Sequence, residues 1–324
     1  MDTRSTPPDR TAVLADHRAQ PHRRAPQGRG DVVYPVYWIA AATLIALTLL
    51  RAPLGEPAAV VAATLVFIGG GLPHGAYDIA LLRRAVALDR SGVGLAVVGY
   101  ATVAMLMVLL WMTLPLVALV LFLAVASVHF GEDWPMLEEP LLRFAAGAAV
   151  IGAATLGHPA IVSDLFVAMS DPRAKVIAQI ITAAAPVALL VTAVGIAVAW
   201  LNKSRGWAAA MALCFVLLVV LPPVAGFALF FVFLHSPRHL AETRAQLRDM
   251  TLARWLGTGA LLSGLAVLGW WGMRAMAPSR IDPTVVAQAF QLLASVAVPH
   301  LMLSRWLERR VIADPARGDP VPTA

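Results

Sequence analysis

Charged residues interrupt this chain so seldom that they act as punctuation between long apolar runs. A helix needs about 20 apolar residues to cross a bilayer, with roughly 17 to 25 tolerated, and the runs divide at that length. Residues 32–50 form the first predicted span, ending at Arg51, and residues 57–77 the second, which carries Gly69, Gly70, Gly71 and then Pro73. No charged residue occurs between Ser91 and Gly131, a stretch that predicts helices three and four with a tight turn at Thr113 to Pro115. Residues 141–157 predict a short fifth span, followed by an external segment holding His158, Asp164 and Asp171, and residues 176–201 a sixth. As one helix, the uncharged stretch 206–237 would run to about 48 Å at 1.5 Å per residue, so Pro222-Pro223 is expected to divide it in two. Residues 255–273 and 283–304 bring the expected total to about ten.

The distribution of basic residues tests these boundaries, because Lys and Arg collect in cytoplasmic loops. With the N-terminus cytoplasmic and the spans alternating, 20 of the 25 Lys and Arg residues fall inside, ten of them in the two terminal tails. Arg51, Arg173, Lys175, Arg274 and Arg280 fall outside. Topology therefore accounts for the net charge of +6, and no nucleic-acid partner is expected. Composition agrees: 59% of the 324 residues are hydrophobic and 14% charged, against roughly 25% charged in a soluble domain.

The expected architecture is an all-α, polytopic integral membrane bundle in the inner (plasma) membrane. Residues 1–31 read as a disordered basic cytoplasmic tail with no apolar stretch long enough for a signal peptide. Residues 32–310 read as a transmembrane catalytic domain and 311–324 as a flexible C-terminal tail. The single cysteine, Cys214, excludes an intrachain disulfide and reads as a small residue in an apolar helix.

The eight histidines acquire meaning on this map. His17 and His22 lie in the basic tail and read as solvated, while His158 falls outside. His74, His129, His235, His239 and His300 lie toward the exits of four helices that all run from outside to inside, which brings five imidazoles to one membrane face. Histidine in or beside hydrocarbon is costly unless paired, and so marks function by default; it is also the commonest metal ligand. His235 and His239 share a helical face at i, i+4, unless Pro237 starts a new helix with Ser236 as its cap. Asp78, four residues after His74, is placed to hold an imidazole N–H or else to be ordinary helix-start charge. For Glu132, Asp133 and Glu242 the simpler reading is solvated loop charge. Gly69 to Gly71 serve either helix packing or access of backbone to the site. An imidazole set without cysteine suits iron, copper or zinc, and iron in an apolar bundle points to an oxygenase acting on a lipid-soluble substrate.

Four segments carry a resemblance to a known family: Gly71-Leu-Pro-His74-Gly-Ala-Tyr-Asp78, Ser127-Val-His129-Phe-Gly-Glu-Asp133, His235-Ser-Pro-Arg-His239 and Pro299-His300-Leu-Met-Leu303. In order, interval and flanking residues the chain resembles the Brp/Blh family of membrane β-carotene cleavage enzymes, over residues 71–303. The resemblance implies a β-carotene 15,15'-dioxygenase that splits the central double bond of β-carotene with O2 into two molecules of retinal. It implies Fe(2+) held by His74, His129, His235 and His239, with His300 as an outer residue or a fifth ligand; Asp78 keeps the outer role that its spacing from His74 suggests. It also implies a microbial rhodopsin as a candidate recipient of the retinal, and no catalytic residue beyond the metal ligands. Phe130, Trp134, Phe231 and Phe233 read as packing or interface anchors rather than as tunnel lining.

Three other readings compete. A membrane di-iron desaturase or hydroxylase needs about eight histidines in several boxes, whereas one HxxxH box is present. A b-type haem protein would use paired histidines. A proton-coupled transporter would spread its ionisable residues through the membrane depth rather than gather them at one side.

Overall fold

Prolines open most of the helices. A proline in the first turn fixes φ where its missing N–H would have had no intrahelical acceptor, and seven helices begin this way in the computed structural model, which describes residues 33–86, 89–276 and 284–313. The side chains of residues 74, 90, 273 and 308–313 lie outside that description. So do the N-terminal tail and most of the expected C-terminal tail, residues 314–324.

In chain order the helices are α1 (Pro35–Leu49), α2 (Pro57–Gly71), α3 (Asp78–Val86), α4 (Arg90–Thr113), α5 (Pro115–Gly131), α6 (Pro140–Gly157), α7 (Pro159–Met169) and α8 (Ala174–Leu201). There follow α9 (Arg205–Val220), α10 (Pro223–Phe230), α11 (Ser236–Gln246), α12 (Leu252–Met276) and α13 (Val285–Ala313). A 3₁₀ turn, Leu72–Tyr77, joins α2 to α3, and a π turn, Phe231–His235, joins α10 to α11. The described residues contain no strand.

Seven of these stretches are long and apolar enough to cross a membrane: Pro57–Val86, Ser91–Thr113, Pro140–Gly157, Ala174–Leu201, Pro223–Gln246, Leu252–Gly272 and Val285–Leu307. Helices α1, α5, α7 and α9 are apolar but shorter, at 15, 17, 11 and 16 residues. The turns expected at Thr113 to Pro115 and at Pro222-Pro223 are both present. Two expectations are corrected. The second span does not stop at residue 77 but continues through the 3₁₀ turn into α3, because Pro73 is accommodated in the tighter turn. The segment after Gly157 is a helix, α7, which buries Val162, Phe166 and Met169 and packs against α8 and α13.

The outside of the bundle is apolar: Leu95, Leu190 and Leu268 are each more than 60% exposed, as a lipid-facing surface requires. Without water to drive association, membrane helices gain most from close backbone approach at small residues. Gly147 of α6 shows this. A Cβ there would strike the backbone oxygen of Ser127 and come 2.5 Å from the Gly131 nitrogen, both on α5. Backbone cannot rotate aside, so Gly147→Ala is expected to destabilise the protein by about 1–3 kcal/mol. A lowered midpoint of thermal unfolding in detergent would register this; an unchanged midpoint would refute the close packing.

Gly70 and Gly71 have the same use. A Cβ on Gly70 would lie 2.5 Å from Val232, and one on Gly71 would run into the Phe231 ring, so these glycines seat α2 against the π turn. Of the two roles left open for them, packing against the site's own wall is the one observed.

Candidate metal centre

Helix α5 delivers His129 and the π turn delivers His235, both buried, while α11 delivers the half-buried His239. One ligand atom from each lies within 4.8 Å of the others, the geometry of a group able to hold a metal ion. The π turn widens the helix by one residue before His235, and the chain continues through Ser236 and Pro237 into α11 without a break. Pro237 therefore does not separate the pair: the His235 and His239 rings stand 4.5 Å apart. Ser236 is not a side-chain cap.

Carboxylates fix the rings. Nδ1 of His235 lies 2.7 Å from Oδ2 of Asp133, and Nδ1 of His129 lies 3.1 Å from Oε2 of Glu132. With Nδ1–H donated to a carboxylate, each imidazole turns the Nε2 lone pair inward. These two Nε2 atoms are 3.0 Å apart. Two lone pairs at that distance repel unless a proton or a metal cation lies between them, and the donor set fits a metal. The spacing agrees, because two nitrogens each about 2.1 Å from one ion sit about 3.0–3.4 Å from each other.

Asp133 and Glu132 are not the solvated loop charges expected from the sequence. Asp133 is 4% exposed, and Arg238 donates to its backbone oxygen at 3.1 Å and stands 3.8 Å from its carboxylate. Burial pushes the Asp133 carboxyl up, but its hydrogen bond from His235, with His239 and Arg238 close by, holds it below the usual carboxylate range. Glu132 is shared between His129 and Arg305, 3.2 Å away. The available signal was position: both acids fall within one turn of His129, at a helix end.

His300 of α13 joins from a fourth direction, its ring 5.3 Å from that of His129. Its Nδ1 donates to Asp78, 2.8 and 2.9 Å from the two carboxylate oxygens. Asp78 thus holds an imidazole N–H, and the imidazole is that of His300. The expected pairing with His74 falls outside the described residues, as does the His74 side chain. The backbone of that turn is close by: a Cβ on Gly75 would lie 3.5 Å from His300 Nδ1. His158 caps the junction of α6 and α7 and is not among the three grouped histidines.

His129, His300 and Asp78 also line an apolar cavity of about 340 Å³. Its walls come from α3, α4, α5, α12, α13, the 3₁₀ turn and the π turn, and include Phe122, Phe130 and Phe231. Phe130 and Phe231, expected to be mere packing, therefore face both the cavity and the histidines, each ring within 5.6 Å of His235. Trp134 is buried against Trp207 and is packing, as expected.

The sequence model of the family described as beta-carotene 15,15'-dioxygenase matches residues 63–308. The chain is 27% identical over 260 residues to a beta-carotene 15,15'-dioxygenase from an uncultured marine bacterium, covering 76% of this chain and 92% of that protein. It is 28% identical over 326 residues to the probable beta-carotene 15,15'-dioxygenase Blh of Halobacterium salinarum, covering 84% of this chain and 91% of that protein. No solved structure matches. All four histidine motifs fall inside the matched residues.

Proposed function

The chain belongs to the beta-carotene 15,15'-dioxygenase family, and from that premise we propose that it cleaves β-carotene at the central 15,15' double bond with O2, giving two molecules of retinal. The observation that carries this reading for these particular residues is the meeting of a three-histidine group with an apolar cavity. A lipid-soluble polyene can enter such a cavity from the bilayer, and its wall presents imidazole at one place.

His129, His235 and His239 are assigned to hold Fe(2+), with His74 as the fourth ligand expected from its motif. His300, anchored by Asp78, borders the centre from the cavity side. Imidazole donors without thiolate suit this ion, and four of them leave coordination positions open. Bound Fe(2+) supplies the redox chemistry that makes dioxygen reactive toward a carbon–carbon double bond. The protein's part is positional. Glu132 and Asp133 keep the imidazole lone pairs aimed inward, and the cavity holds the polyene beside His129 and His300. The apolar walls exclude water from the reacting bond. The double bond breaks and each of its carbons ends as an aldehyde, with no proton demanded of a side chain.

The same reading places the enzyme in the plasma membrane, with about ten crossings and the centre toward the cytoplasm. The excess of basic residues at the predicted cytoplasmic loops supports that orientation. A microbial rhodopsin is the proposed recipient of the retinal. Expression in cells that accumulate β-carotene is the test: the orange colour is expected to fade as retinal appears in extracts. Persistent carotene with no retinal overturns the assignment.

A further inference from the structure

A second cavity, of about 60 Å³, lies on the far side of the wall formed by Phe122, Ala126 and Phe130, which line both spaces. Its remaining lining comes from α6, α7, α9, α10 and α13, including Val150, Ala154 and Val162, and no polar atom faces it. By size it exceeds the roughly 10–15 Å³ that a water needs, but a buried water also needs two to four polar partners, and none is offered here. Apolar cavities of this kind stay dry and take up apolar guests. An engineered apolar cavity of about 150 Å³ holds benzene, so 60 Å³ is too small for a substituted six-membered ring such as the end group of a carotene. It suits a diatomic gas.

Its location gives that size a meaning. Ala126 lies one turn before His129 on α5, and the Phe130 ring stands edge-on to His235 with centroids 5.2 Å apart. The larger cavity, which also reaches His129, is the space available to a polyene. A second substrate arriving while that space is filled needs another way in. We propose that the small cavity is a dioxygen-holding site, from which O2 passes the Ala126–Phe130 wall to the metal centre while the polyene occupies the larger one. The proposal rests on the oxygenase reading above.

The test separates the two substrates. Ala154→Leu fills the small cavity from α6 and touches neither the histidines nor the larger cavity; Val162→Ile fills it less and serves where the larger change impairs folding. The expected result is a KM for O2 raised several-fold, with the KM for β-carotene and the bound metal unchanged. Xenon, an apolar gas probe, is expected to occupy the site in pressurised crystals of the wild-type protein and to be absent from Ala154→Leu. Xenon occupancy reads the cavity whether or not carotene is cleaved, so failure of the oxygenase reading is distinguishable from failure of this one. An unchanged KM for O2 overturns the proposal. So does a raised KM for β-carotene, which would mean that part of the polyene lies there, or a lipid acyl chain in the cavity in place of xenon.

Discussion

His235→Ala is expected to lose both bound metal and carotene cleavage while still inserting in the membrane. His235 is completely buried, its ring is held by Asp133 on one side and faces His129 at 3.0 Å on the other. Alanine there removes the hydrogen bond to the buried Asp133 carboxylate and leaves it with His239 and Arg238 at 3.9 and 3.8 Å, which adds a folding cost to the loss of a ligand. The activity loss should exceed the roughly 10–100-fold that follows removal of an outer partner of a metal ligand. Elemental analysis of the purified variant, beside retinal formation, checks the two effects separately. Wild-type metal content in His235→Ala would remove this histidine from the centre. His129→Ala and His239→Ala are expected to behave alike, and His158→Ala to leave metal and activity intact.

The second large effect is expected at Asp133. Asp133→Asn preserves size and leaves a carbonyl able to accept the His235 Nδ1–H, but it removes the charge that makes the imidazole a better donor to a cation. It also removes the charge beside Arg238. Metal affinity is expected to fall about 10–100-fold, read by titration against a chelator, with activity partly recovered by added Fe(2+). A purely structural role would lower thermal stability without changing the metal titration, and that outcome would sink the assignment. Glu132→Gln should have the smaller effect, because the Glu132 side chain is about 20% exposed and water can take over part of its role.

What the sequence determined by itself is what depends on local chain properties. Helix starts follow from prolines whose effect is confined to one turn, as at Pro115, Pro140 and Pro223, and the divisions at Thr113 to Pro115 and at Pro222-Pro223 were legible for that reason. The histidines stood out because imidazole in an apolar run is expensive, a fact independent of what packs around it. The motif resemblance added the ligand set and the reaction.

Only the tertiary structure decided which side chains meet across helices. Asp78 serves His300, 222 residues away along the chain, and Asp133 serves His235, 102 residues away. Neither pairing has a local signature, and a charged residue after a helix end ordinarily means solvent. The π turn before His235 was equally hidden, since the glycines that leave room for its side chains, Gly70 and Gly71, lie on another helix. The two cavities are spaces left by packing, and a void has no residue of its own to read. That is why the sequence pointed to the clustered histidines, and the fold alone showed which carboxylates lie against them and where two apolar cavities of different size sit beside them.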